Sequence, residues 1–341
     1  MRLLTTTAAT AAAVLLASSP SGLAQQDDKV HISSKTTSFK IAIFTDLHYG
    51  EGESDMTWGP VADANSTRVM SNMIAYESPS LAVYLGDLIT GNNIDANATS
   101  YWESALLASD SSSVPHCAVF GNHDDSALDA EDGTPPVSAR TPRPALLQFD
   151  SSRPLSYSRS DFAAASGGLS NYYILASDSS ARPIAALYFL DSGGGTALAD
   201  LQADLLEWLA SAGEQAKEAG FGPGLVPQLL FLHIPSLDYA TAFAGGQECA
   251  GHIFDDGVTP TGGLTLASTL AAMGVTHTFA GHDHGSDWCC SLEGLHYCFA
   301  RHTGYGGYGE WERGARIVDI DADGNVKTWV RLEDGSVLAR L

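Results

Sequence analysis

Four short segments carry side chains able to do chemistry: Asp46-Leu47-His48, Gly86-Asp87, Gly121-Asn122-His123-Asp124 and Gly281-His282-Asp283-His284. His233 stands alone between the last two. Together they offer carboxylates, an amide oxygen and imidazoles. That donor set suits two adjacent metal ions, and iron, zinc and manganese all accept it. Such a pair makes a nucleophile of water near neutral pH and clamps a phosphoryl group. A lone histidine is more often structural than a ligand, so the weight rests on several separate segments sharing one kind of position in the chain.

That position is the end of a strand. Residues 39–45, 81–85, 115–120, 186–190, 229–232 and 276–280 are short apolar runs without strict alternation, the pattern of strands covered on both faces. Asp46 and His48 follow the first, Asp87 the second, and Asn122 and His123 the third. His233 closes the fifth, and His282 and His284 follow the sixth. In open α/β sheets, ligands gather at the carboxyl ends of strands, so these loops are expected to converge. Leu198, Leu201, Leu205, Trp208 and Leu209 share one face of a helix expected to start at Thr196, and 264–273 reads as another. Strands alternating with helices predict a layered α/β core. The tail reads as antiparallel strands over 295–300, 316–320 and 326–332, with Asp323-Gly324 as a hairpin turn. Residues 124–170 and 238–263 are expected to be long surface loops. His252, in the second of these, is expected to be merely exposed. His116, His277 and His296, in or beside strands, read as structural.

The order Asp-x-His, Gly-Asp, Gly-Asn-His-Asp, His, Gly-His-x-His is similar to that of the calcineurin-like metallophosphoesterases, over residues 39–332. Within that superfamily three stretches resemble the fungal and plant branch related to purple acid phosphatases. They are Asp46-Leu47-His48-Tyr49-Gly50, the run from Gly281 to Cys290, and Tyr305-Gly306-Gly307-Tyr308-Gly309. The resemblance implies a four-layer α/β/β/α sandwich with mixed sheets, one domain over 25–341, and two metal ions. Asp46, His48 and His284 would hold one metal and Asn122, His233 and His282 the other, with Asp87 bridging. A metal-bound hydroxide would attack phosphorus in line. His123, not a ligand, would donate to a phosphate oxygen or protonate the leaving group, and Asp124 would orient its imidazole. Asn122, Arg301 and Tyr305 are the further expected substrate contacts. Tyr305 and Tyr308, set among glycines, suggest a tight loop near the site.

These features imply a metal-dependent hydrolase of phosphomonoesters, acting on a small molecule or a phosphoprotein. A phosphodiesterase acting on a nucleotide or lipid-headgroup diester is the second reading. A catalytically silent binding protein is the third; its signature, loss of a ligand or of His123, is not found. Acidic residues outnumber basic ones 40 to 17, for a net charge of -23. That balance argues against nucleic acid as a partner, since polyanion binding uses clustered Lys and Arg.

Arg2, the small apolar stretch 8–17 and Gly22-Leu23-Ala24 read as a signal peptide over 1–24. They imply secretion, or a secretory-pathway or vacuolar location, and no later run is long enough to span a membrane. Asn65-Ser66-Thr67 and Asn97-Ala98-Thr99 are glycosylation acceptors. Cys117, Cys249, Cys289, Cys290 and Cys298 allow two bridges and one thiol. Cys290 and Cys298 flank a hairpin and could meet. A structural zinc site is the alternative, disfavoured by the lack of a CxxC pair.

One departure from the larger purple family matters. That family places a tyrosine three residues after the bridging aspartate, and the tyrosinate bound to ferric iron gives its colour. Here the position is Thr90, and His48 resembles the replacement ligand. The metal-loaded protein is therefore expected not to be purple; a visible charge-transfer band in its absorption spectrum would contradict the assignment.

Overall fold

The computed structural model describes residues 29–32, 38–52, 58–94, 97–127, 141–165, 167–195, 199–245, 249–263 and 265–341. The leader expected over 1–24, together with Thr196 and Leu198, lies outside the described residues. In chain order the first half contains β1 (Lys29–Ile32), β2 (Ser38–Phe44), α1 (Gly59–Glu77), β3 (Leu81–Leu85), α2 (Ala98–Ser111), β4 (His116–Val119), α3 (Arg143–Ser151), β5 (Tyr172–Asp178) and β6 (Pro183–Leu190). Next come β7 (Asp200–Leu201), α4 (Ala203–Ala216), β8 (Gln228–Leu232), α5 (Leu237–Gly245), β9 (Cys249–Ala250), β10 (Gly262–Gly263) and α6 (Ala267–Met273). The chain ends with β11 (Val275–Ala280), β12 (Cys289–Leu292), β13 (Leu295–Phe299), β14 (Gly314–Asp321), β15 (Val326–Leu332) and β16 (Val337–Leu338).

Two mixed sheets face each other. One has the order β1-β5-β6-β8-β11-β13-β12-β9 and the other β16-β15-β14-β2-β3-β4. Alternation along each strand divides the apolar residues between two layers. In β2, Phe39, Ile41 and Ile43 point between the sheets, where they meet Ile174, Phe189, Phe231 and Phe279. Ala42 and Phe44 point the other way, onto Met70 and Met73 of α1 and Ala105 of α2. On the far sheet, Tyr188, Leu230 and Leu232 pack outward against Leu205 and Leu209 of α4 and Leu270 of α6. The result is the expected α/β/β/α sandwich. It also explains why the central strands read as continuous apolar runs: both faces are covered.

Strands β2, β3 and β4 run parallel in one sheet, and β6, β8 and β11 run parallel in the other. Their carboxyl ends therefore lie on common edges, and the ligand-bearing loops leave from there.

Several expectations are corrected. The helix expected from Thr196 begins at Ala203, so Leu201 belongs to a two-residue strand instead. The expected surface loop 124–170 contains α3, whose Arg143, Leu146 and Asp150 are buried. The loop 238–263 contains most of α5, whose Tyr239 is fully buried against Trp288 and Phe299. Helix α3 lies in a polar stretch, and α5 is too short for its apolar residues to mark one face. Asn65 is half-buried within α1, with the neighbouring Ser66 hydroxyl inside the fold, whereas Asn97 is exposed at the start of α2.

The cysteine pairing differs as well. Bridges join Cys289 to Cys298 and Cys249 to Cys290, and Cys117 is a buried free thiol. The register decides this, because Cys289 is opposite Cys298 across β12–β13 while Cys290 faces Tyr297. Successive side chains leave a strand on opposite faces, so Cys290 turns away from Cys298. It meets Cys249, its cross-strand partner in β9. Cys249–Cys290 closes a loop of 41 residues, for which chain entropy suggests a stabilisation of about 4 kcal/mol. Cys249→Ser is expected to lower the unfolding free energy by up to about that amount in denaturant titrations and to add one titratable thiol to the unfolded, unreduced chain.

Candidate metal centre

The strand ends deliver their side chains through strained turns. Asp46, His48, Asp87 and His282 all have left-handed backbones, with φ of 54°, 52°, 51° and 74°. For residues other than glycine this costs on the order of 1–3 kcal/mol each and persists only where neighbours over-determine it. Here they do. The Asp87 carbonyl accepts N–H groups from both Leu47 (2.8 Å) and His48 (2.9 Å), and Asp46 N donates to Gly86 O at 3.2 Å. The Asp46 carboxylate accepts the His282 N–H at 3.2 Å. The Asp87 carboxylate accepts the His123 N–H at 2.7 Å. Gly121 must be glycine because a Cβ there would lie 2.1 Å from Asp87 Oδ1.

Two groups of ligand atoms result. Asp46, His48 and His284 form one, and Asp87, His233 and His282 the other, with the atoms of each group all within 4.8 Å of one another. The groups adjoin. His233 Nε2 is 3.2 Å from Asp87 Oδ2 and 4.0 Å from Asp46 Oδ1, while His48 Nε2 is 3.8 Å from Asp87 Oδ2. Asn122 Oδ1 and His233 Nε2 are buried without a hydrogen-bond partner. Buried polar atoms are rarely left so, and each is a good donor to a cation. The donor set and these two orphaned atoms therefore fit a metal pair.

In three of the four imidazoles the other nitrogen is held, as suits ligating histidines. His233 Nδ1 bonds Leu85 O at 2.5 Å, His284 Nδ1 bonds Tyr308 O at 2.9 Å, and His48 Nδ1 pairs with Thr90 Oγ1 at 3.0 Å. Thr90 thus aims His48 instead of contributing a ligand oxygen of its own. Charge follows the same layout. Burial drives His48 down to about 3 and His282 down to about 4, so both rings are neutral and free to ligate. Burial also opposes protonation of His233, but the carboxylates of Asp87 and Asp46 outweigh it and hold the ring up to about 9. His284 is raised in the same way, chiefly by Asp46. A bound cation would displace those protons.

His123 is half-buried beside this cluster, 5.0 Å from His48 between ring centroids, and outside both ligand groups. Asp124 does not orient its imidazole. The Asp124 carboxylate instead accepts N–H groups from Gly121 (2.7 Å), Asp87 (3.1 Å) and Ile89 (3.1 Å), binding two ligand loops together. Arg301, expected to reach substrate, is buried and engaged with Asp287 Oδ2 (2.6 Å) and Glu312 O (2.7 Å). The Tyr305 hydroxyl donates to Glu333 at 2.7 Å. His252 is exposed and His116 is buried against Asp150, as expected.

The calcineurin-like phosphoesterase family matches residues 39–286. The chain belongs to this family. Two curated relatives are informative. "Probable inactive purple acid phosphatase 29" of Arabidopsis thaliana is 28% identical over 87% of this chain and 82% of its own length. "Phosphatase DCR2" of Saccharomyces cerevisiae is 26% identical over 86% of this chain and 54% of its own length. Among solved structures, a dimetal phosphatase from Danio rerio superposes with a TM-score of 0.52 at 15% identity, over 86% of this chain and 95% of that one. Purple acid phosphatase PPD1 from yellow lupin superposes with 0.54 at 11%, over 90% and 54%. At such identities the structures speak for the fold alone.

The candidate centre also has a support that no sequence motif marks. Arg143 of α3 is buried and donates to Asp125 (2.8 Å), Asp191 (2.6 Å) and Gly121 O (2.6 Å). Asp191, at the end of β6, also accepts the N–H groups of Leu169, Ser170 and Gly193. The guanidinium so braces the loop carrying Asn122 and His123. A sequence hint existed, since Asp191 stands just after a strand like the ligands do. Arg143→Ala would remove the cation shared by the buried carboxylates of Asp125 and Asp191; a loss of up to about 3–5 kcal/mol in unfolding free energy is expected, read by chemical denaturation of the metal-free protein.

Proposed function

We propose that this protein is a dinuclear-metal phosphatase that hydrolyses phosphomonoesters in the secretory pathway or outside the cell. The observation that supports it most directly is the gathering of Asp46, His48, Asp87, Asn122, His233, His282 and His284 at adjoining strand ends, with Asn122 Oδ1 and His233 Nε2 buried and making no hydrogen bond. Iron, zinc and manganese all suit these donors. When bound, such a pair lowers the pKa of water toward neutrality and offsets charge on the phosphoryl oxygens.

The chain's own residues then divide the work. Asp46, His48 and His284 hold one site; Asn122, His233 and His282 hold the other; Asp87 lies between them. The P–O bond to the incoming water oxygen forms as the ester P–O bond breaks. His123, which is not a ligand, hydrogen-bonds a phosphoryl oxygen or gives its proton to the departing alkoxide. Asn122 is the further expected substrate contact, through its amide nitrogen. Arg301 and Tyr305 keep that expectation only through a change of partners, because their polar atoms are already bonded. The two disulfides accord with an oxidising compartment, and no described helix is long and apolar enough to cross a membrane.

The word inactive in the names of plant relatives belongs to those proteins. In this chain the full donor set and His123 are present and convergent. Turnover of an aryl phosphomonoester against a bis-aryl diester separates phosphatase from phosphodiesterase. His123→Ala is expected to keep both metals by elemental analysis while slowing monoester turnover about 10²- to 10⁴-fold. An unchanged rate would remove His123 from the mechanism.

A further inference from the structure

The loop after β13 forms a wall of the metal centre. At Gly307 a Cβ would lie 2.3 Å from His284 Cε1 and 2.8 Å from His48 Cδ2. Both carbons adjoin the Nε2 atoms of the ligand group, so the wall borders the metal-facing ring edges. From that point a continuous line of rings runs outward. Tyr308 stacks on His284 at 4.1 Å with planes 10° apart, and its hydroxyl is held by the His284 N–H and by Asp255. Trp311 meets Tyr308 edge-on at 6.1 Å, Phe254 stacks on Trp311 at 5.8 Å, and His252 stacks on Phe254 at 5.4 Å.

Tyr308 and Phe254 are 52% and 47% exposed. Phe254 is held at the wall by its own backbone, with its N–H donating to Gly285 O at 2.8 Å beside the ligand loop. These rings are displayed on a chain of net charge -23; His284 stacks on one side of Tyr308, while Phe254 is stacked by both Trp311 and His252 and has the Arg301 guanidinium 5.8 Å from its ring centre. The surrounding charge is acidic. Asp255 borders Tyr308, and the exposed Glu310 and Glu312 flank Trp311. The neighbouring Arg301 and Arg313 donate to protein oxygens.

The geometry points to an aromatic subsite for the organic half of the substrate, formed by Phe254, Tyr308 and Trp311. This rests on the phosphatase reading above and narrows its substrate class to monoesters of planar aromatic alcohols, such as a phenyl phosphate or a phosphotyrosine side chain. The phosphoryl group lies at the ligand cluster. The ring of the leaving group lies against the wall, where the acidic flank disfavours a second phosphate.

The test uses the full metal-loaded protein. Values of kcat/KM are measured for phenyl phosphate and for glycerol 2-phosphate in the native chain, in Phe254→Leu and in Trp311→Leu, which keep apolar bulk and remove the ring. Aryl esters are intrinsically more labile, so the readout is the change in the phenyl-to-glycerol ratio between variants. Loss of one stacking ring is expected to lower that ratio about two- to tenfold, mainly through KM. A binding readout accompanies it: calorimetric titration with phenylphosphonate and methylphosphonate, where the native preference for the phenyl compound should shrink by a similar factor. Equal affinity of the native chain for the two phosphonates, or a ratio unchanged in both variants, overturns the subsite. Hydrolysis of neither ester would instead strike the phosphatase reading itself, and the phosphonate arm would still decide the subsite.

Discussion

Asp87 is the knot of the structure. Its carbonyl oxygen receives the N–H groups of Leu47 and His48 from the loop after β2, and its own N–H binds the Asp124 carboxylate from the loop after β4. Its side chain receives the His123 N–H and faces His233 from the opposite sheet. Loops from three parallel strands and a histidine from the second sheet are thus referred to one residue. A buried carboxylate tolerates such a position only when several donors or a cation share its charge. That requirement pulls the surrounding segments together.

The remainder of the fold serves this demand for closeness. Strained left-handed backbones at Asp46, His48, Asp87 and His282 turn their chains back toward a common point. Glycines at Gly121 and Gly307 allow backbone to touch a carboxylate and two imidazoles where a side chain would collide. Two sheets rather than one are needed because a single row of parallel strand ends presents its loops along a line. Facing sheets bring a second row, with His233, His282 and His284, across from the first.

Support lies one layer behind. Arg143 and Asp191 brace the Asn122–His123 loop, and Thr90 aims His48. Where the coloured relatives of this superfamily place a ligating tyrosine, this chain carries a small hydroxyl that acts on a neighbouring histidine. Thr90 thus leaves no gap in the hydrogen-bonded shell at that position, because its hydroxyl pairs with His48 Nδ1.

The candidate ligand side chains, the central strands and the layered α/β class were legible because each depends on local pattern: apolar runs covered on both faces, and polar residues just past their ends; the four-layer sandwich was implied by the family resemblance. The tail hairpin was legible too, through Asp323-Gly324. Other features were not. Cys290 could be matched with Cys249 only once strand register showed which face it leaves from. Asp124 binds backbone amides of distant loops, and Arg301 is held by Asp287 and Glu312; neither partner set has a sequence spacing to betray it. Helices α3 and α5 are only nine residues long each, and their apolar residues acquire meaning only against a core. By itself the chain determined which chemical groups exist and at which strand ends they emerge. Their distances, their partners and the ring-lined wall beside them were decided by tertiary packing, because contacts between segments far apart in the chain carry no periodicity of their own.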